Sequence, residues 1–269
     1  MRNATLILIP RRIILANIND SHQMKSSFYL QILHQIKEKS GKPTQHTFLD
    51  SYLGNHHPRY PISAPVLRGL AREWVRGHRD LPAGEFASLL TDLIQGESST
   101  EKFMAGILLD YSLPAQRKFN PKKFDEWLNH LEGWAEIDAV CTNKYTRTEL
   151  VAQWQKWRPL LLNFSKSKNI NKRRASLVLF CSPLSQLENK ALSRAALENV
   201  DRLKREKEGL ITKAISWVLR SMVKYNRKAL ETYLKENGHT LPKIALRETR
   251  VKLETGRKTK TKLSGASGA

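Results

Sequence analysis

Acidic residues are scarce in this chain: 25 Asp+Glu stand against 46 Lys+Arg, a formal charge of +21. That imbalance exceeds what solubility asks of a domain and makes a polyanion the natural partner. The basic excess is spread through Lys166-Ser-Lys168, Lys172-Arg-Arg174, Arg202 to Lys207 and Lys243 to Lys262, so it points to a surface on the folded body as well as a tail. Cysteine is also sparse. Cys141 and Cys181 sit in apolar helical patterns, outside any CxxC or Cys/His cluster, so neither a metal site nor a disulfide framework is expected and a reducing, cytoplasmic compartment is. No apolar run approaches the ~18 residues of a membrane span. Leu6-Ile-Leu-Ile9 is cut short by Pro10-Arg-Arg12 with no convincing cleavage site after it, a poor fit to a signal peptide.

Alternating strand patterns are missing too, and the body has a helical period almost throughout. Residues 26–38, 63–77, 84–96, 100–111, 121–131, 134–144, 147–163, 172–182, 188–206, 209–224, 226–236 and 240–254 carry apolar positions three and four apart. Asp80-Leu-Pro82, Leu113-Pro114, Asn120-Pro121, Ser182-Pro183 and Asn237-Gly238 punctuate them. The spacing predicts an all-α superhelix of HEAT-like helix pairs every ~40 residues, with a concave basic surface; a compact bundle is the structural rival. The expected organisation is a loosely ordered leader over 1–23, one helical-repeat domain over 24–256, and a disordered basic tail over 257–269. Nothing suggests a dimer interface, and a monomer is expected.

Within 209–224, Ile211, Ala214, Ile215, Val218, Leu219 and Met222 gather into one stripe at roughly 100° per residue. Trp217 points away from it, beside Lys213, Arg220 and Lys224. An indole among three cations suits something flat and anionic; the plainer reading is packing under a neighbouring element beside a solvated charged face. A second constellation places Trp134 and Asp138 four apart on one helical side. A carboxylate on a binding face of so basic a protein calls for a reason, although Asp138 could equally pair with an arginine and Trp134 belong to the core.

From about Phe48 to Glu254 the chain resembles the AlkD-like HEAT-repeat DNA glycosylases of the DNA alkylation repair family. The segments that carry the likeness are Gly133-Trp134 with Asp138, Lys172-Arg-Arg174-Ala175, and Lys213-Ala-Ile-Ser-Trp217-Val-Leu-Arg220, supported by Tyr52-Leu-Gly-Asn-His56 and Asp80-Leu-Pro82-Ala-Gly-Glu85-Phe86. The resemblance implies that Asp138 is the catalytic carboxylate, that Trp134 and Trp217 flank the damaged nucleotide, that Arg174 contacts a phosphate, and that Tyr52 lies near the same cleft. Lys213, Arg220 and Lys224 join Arg174 as expected DNA contacts. The chain departs from the family where Gly133 and Ala135 replace a second tryptophan and an acid.

The implied activity is monofunctional hydrolysis of the N-glycosidic bond of cationic alkylated purines in duplex DNA, without metal or cofactor, in a cytoplasmic, nucleoid-associated protein. An N3- or N7-alkylated purine leaves without protonation, so one carboxylate suffices to stabilise the oxocarbenium-like sugar and position water. The alternative is a noncatalytic repeat protein that binds DNA structure through the same basic cleft. Three features invite function with less reason. His56-His57 is expected to serve a loop rather than a metal. Trp127, Trp154 and Trp157 are expected in the core rather than on a base-stacking platform. No lysine stands out as a lyase nucleophile.

Overall fold

The structure, a computed structural model, describes residues 25–44 and 54–258. Tyr52, the leader 1–23 and all but the first residues of the 257–269 tail lie outside the described residues. The helices in chain order are α1 (Ser27–Ser40), α2 (Ala64–Gly77), α3 (Ala83–Ile94), α4 (Ser99–Tyr111), α5 (Lys123–Trp127), α6 (Gly133–Cys141) and α7 (Lys144–Ala152). They continue with α8 (Trp154–Ser165), α9 (Ile170–Val178), α10 (Cys181–Leu184), α11 (Lys190–Leu203), α12 (Gly209–Met222), α13 (Arg227–Asn237) and α14 (Lys243–Thr255). Among the described residues, the one strand-like feature is an isolated antiparallel bridge between Thr44 and Arg59.

Side chains that compete for the backbone set the helix starts. Ser26, Asn169 and Asn189 accept from the first turns of α1, α9 and α11. Ser98 with Glu101, and Asn143 with Thr146, close reciprocal capping boxes on α4 and α7. Gly256 ends α14 at φ 72°, a left-handed turn that a Cβ would strain.

Helices stack in two rows. In the first, α2, α4, α6, α9, α12 and α14 each pack on the next. They begin at residues 64, 99, 133, 170, 209 and 243. The interval, somewhat under the ~40 expected, is that of a helical repeat. The second row backs it, with α1 on α3, α3 on α5 and α8 on α11. The chain is therefore an all-α helical repeat. The stripe read from 209–224 is the buried face of α12, with Ile211, Ala214, Ile215, Val218, Leu219 and Met222 all fully buried.

Three expected helices differ. The 172–182 segment divides into α9 and α10 between Val178 and Cys181. The 147–163 segment is two helices, α7 and α8, broken at Gln153 (φ −113°, ψ 34°). Period alone cannot register that break, because Leu150, Trp154, Trp157 and Leu161 keep their three- and four-residue spacing across it. The 121–131 segment forms only α5 and then tightens, with Asn129 and His130 donating to Glu126 and Trp127 three residues back.

Buried amides tie the rows together. Asn199 on α11 donates to the carbonyls of Leu161 and Ser176, and Asn226 donates to those of Leu184 and Leu187 while accepting from Ser193 Oγ. The carbonyls of Ser176, Leu184 and Leu187 lie at or just past helix ends, where intrahelical donors run out.

Candidate active site

The site grows from α6, the third helix of the first row. Gly133 opens it at φ 64°, and a Cβ on Gly54, itself at φ 74°, would stand 3.4 Å from the Gly133 Cα. At both positions, one in the loop before α2 and one at the helix start, the left-handed φ, more than any lack of space, is what a side chain would strain. The departure at Gly133 thus has a backbone cause. Carboxylates then lock the loop: Glu136, fully buried, accepts from the Glu132 N–H (2.8 Å) and Asn55 Nδ2 (3.3 Å) and lies 3.0 Å from His57 Nδ1. Glu132 accepts from the His56 N–H at 2.9 Å. Burial pushes the Glu132 carboxyl up, but the hydrogen bonds and charge from His56 and His57 outweigh this and leave it below the usual range. The two histidines serve the loop, pinning residues 54–58 onto α6.

On its other side α6 lies close on α4. A Cβ on Gly106 would meet the Ala139 carbonyl oxygen at 2.5 Å, so glycine is what permits this approach. One turn past Trp134, the Asp138 carboxylate faces α9, where Arg174 grips it side-on, Nε to Oδ1 at 3.0 Å and Nη2 to Oδ2 at 2.7 Å. Arg174 Nη1 donates to the Leu210 carbonyl in the first turn of α12. Three successive first-row helices are therefore joined through one guanidinium. Burial raises the Asp138 carboxyl above its ordinary range, and Arg174 opposes that shift without cancelling it.

Trp134 and Asp138 line a cleft of about 550 Å³ shared by α2, α4 and α6. Phe103 and Ile107 of α4 supply apolar wall, and Arg59 and Arg68 bring positive charge. These four were not singled out in the sequence. Arg68 had a legible signal, since Arg68, Arg72 and Arg76 repeat every four residues on exposed positions of α2; Phe103 and Ile107 had none.

The remaining expected residues divide. Trp217 is half-buried on α12 and packs against the core, and it does not line the cleft of Trp134 and Asp138. Lys213 is exposed on the same helix and Lys224 in the turn just past its end, with Lys224 Nζ 4.7 Å from the centre of the Tyr225 ring. Arg220 is held back by Glu248 at 3.3 Å, a carboxylate that also accepts from Ser216 Oγ. Arg174 is 4% exposed. Its donors go to Asp138 and Leu210, so in this structure it is the partner of the carboxylate.

Other reactive groups stand apart. Cys141 and Cys181 are buried, which pushes both thiols up and away from thiolate chemistry. Lys102 is a desolvated lysine with its amine pushed down by burial, and it donates to the Gly96 carbonyl. It does not line the Asp138 cleft, so it is not placed as a nucleophile for that site. Among the described residues no three His, Cys, Asp or Glu side chains gather into a metal set.

A family model described as DNA alkylation repair enzyme matches residues 33–253, most of the chain. The chain belongs to the DNA alkylation repair enzyme family. No curated protein matches it at a significant level. Membership makes DNA the substrate and alkylation repair the setting, and it spans every first-row helix, from α2 through all but the end of α14. Among the described residues, no helix is long and apolar enough to cross a membrane.

Proposed function

We propose that the chain is a monofunctional alkylpurine DNA glycosylase acting on cationic lesions of the 3-methyladenine and 7-methylguanine type in duplex DNA. The observation that carries this reading is the Asp138 carboxylate, fixed side-on by Arg174 at the wall of a cleft that also holds an indole and apolar side chains. A side-on arginine occupies one lone pair of each oxygen and leaves the others for a water and a developing positive charge.

The alkylated purine leaves with the electron pair of its N-glycosidic bond, which neutralises the ring, so no acid is needed. Asp138 stabilises the positive charge that forms on the deoxyribose and orients a water toward C1′; as the C1′–O bond forms, the water's proton passes to the carboxylate and then to solvent. The Trp134 face favours a cationic base over a neutral one by about 0.5–2 kcal/mol. Arg174 is a positioning residue. Arg68, Lys213 and Lys224 take phosphates along the first row, which serves as the concave DNA-bearing face, and Trp217 meets the duplex from α12, two helices beyond α6 in that row. The functional unit is the helical repeat over 24–256.

The test is release of free methylated purine from alkylated duplex DNA. Intact base recovered with an abasic strand left uncut supports a monofunctional glycosylase. Binding without release would instead make the chain a noncatalytic DNA-structure protein.

A further inference from the structure

Trp154 departs from the core position that its helical setting suggests. Trp127 and Trp157 are fully buried, whereas Trp154 is half-buried, touching the core through a tilted contact to Phe180 at 6.3 Å between ring centres. Its other side opens on a groove of about 350 Å³ between α8 and α11 in the second row. Arg158 follows it one turn on along α8, and Lys190 and Arg194, also one turn apart, stand opposite on α11. All three cations are exposed, and none has a hydrogen bond or ion pair. Ala191 and Ala195 contribute only methyl groups to the groove, which leaves depth beside the indole. Glu198 is the acid at its edge, and its carboxylate lies 4.0 Å from Arg202.

An accessible indole among three uncompensated cations suits a ligand that has a flat ring and carries phosphates. A duplex keeps its ring faces stacked inside, so it could use the cations but not the indole. An unpaired nucleotide uses both. The groove shares no lining residue with the Asp138 cleft and lies on the other row of helices. We propose that the α8/α11 groove is a second nucleic-acid site, which takes an unpaired nucleotide of a DNA strand with its base on Trp154 and its flanking phosphates on Arg158, Lys190 and Arg194. This does not rest on the glycosylase reading, since its readout involves no lesion and no base release.

The experiment is fluorescence anisotropy of a labelled thymidine pentanucleotide titrated with the full chain at low salt. Arg158→Gln/Arg194→Gln is expected to weaken binding roughly tenfold or more and to flatten its salt dependence. Trp154→Leu is expected to weaken it by about tenfold through lost stacking. The double variant alters only exposed side chains, so the question stays open to test if Trp154→Leu fails to fold. Unchanged pentanucleotide affinity in the double variant would overturn the proposal. So would loss in Arg68→Gln/Lys224→Gln alone, or displacement of the pentanucleotide by an equal concentration of a hairpin duplex.

Discussion

At the residue scale, the pair of Asp138 and Arg174 sets both geometry and protonation. Base release needs the ionised carboxylate, and burial holds the Asp138 carboxyl above the ordinary aspartate range. The acid limb of single-turnover base release is therefore expected above pH 3.8, the ordinary value for aspartate. Arg174→Gln removes the cation that lowers the carboxyl, so it should move this limb to still higher pH and slow release about 100-fold at its plateau through misplacement. A rate profile against pH checks both, and an unmoved limb in the variant would deny Arg174 its positioning role. The sequence made half of this pair legible. Trp134 and Asp138 share a helix, and their spacing alone puts them on one side. Arg174 lies 36 residues from Asp138 in a different helix, and no local pattern reports that the two side chains meet. Family likeness supplied the arginine but suggested a phosphate as its partner, where burial makes the carboxylate its first one.

At the scale of elements, the placement of α6 depends on two close approaches. Where Gly106 faces Ala139 the obstacle to a larger residue is backbone, which cannot swing aside as a flexible side chain can. Gly106→Ala should cost about 1–3 kcal/mol and lower the melting temperature by roughly 2–10 °C, with base release falling because α6 carries Trp134 and Asp138. Thermal melting followed by circular dichroism measures the first effect. The buried Glu136 carboxylate is the second anchor, and Glu136→Ala leaves the Glu132 N–H and Asn55 without their acceptor, at about 1–3 kcal/mol each. Protease cleavage within 54–58 is expected to be faster in that variant than in the native chain. Helices as such were legible because apolar period and capping residues agree along most of the chain. The contacts between helices were not. Glu132 and Glu136 are 76 and 79 residues from their histidine partners, and a glycine inside α4 carries no mark in sequence that a neighbouring backbone will rest on it.

At the scale of the whole molecule, the charge of +21 was the most legible property, and its arrangement the least. Several basic side chains are neutralised within the fold: Arg174 by Asp138, Arg220 by Glu248, Lys172 by Asp125 and Arg173 by Glu206. Others remain exposed, including Arg68 on α2 and Lys224 just past the end of α12. Duplex affinity should fall steeply with salt. Arg68→Gln/Lys224→Gln should reduce the slope of log affinity against log salt by roughly 2, one contact's worth for each residue, while leaving preference among sequences unaltered. Equilibrium binding at several salt concentrations measures that slope, and an unchanged slope would remove these two residues from the DNA track.

The central claim is that Asp138 performs chemistry in a cleft that the rest of the repeat builds and holds. The measurement that tests it most directly follows purine release and duplex binding in the same samples of alkylated DNA, for the native chain and for Asp138→Asn. The account predicts release by the native chain, its loss in the variant, and duplex affinity within a few-fold of native. Equal release by both proteins would contradict the assignment of the carboxylate, and tight, salt-sensitive binding with no release from either would contradict the glycosylase itself.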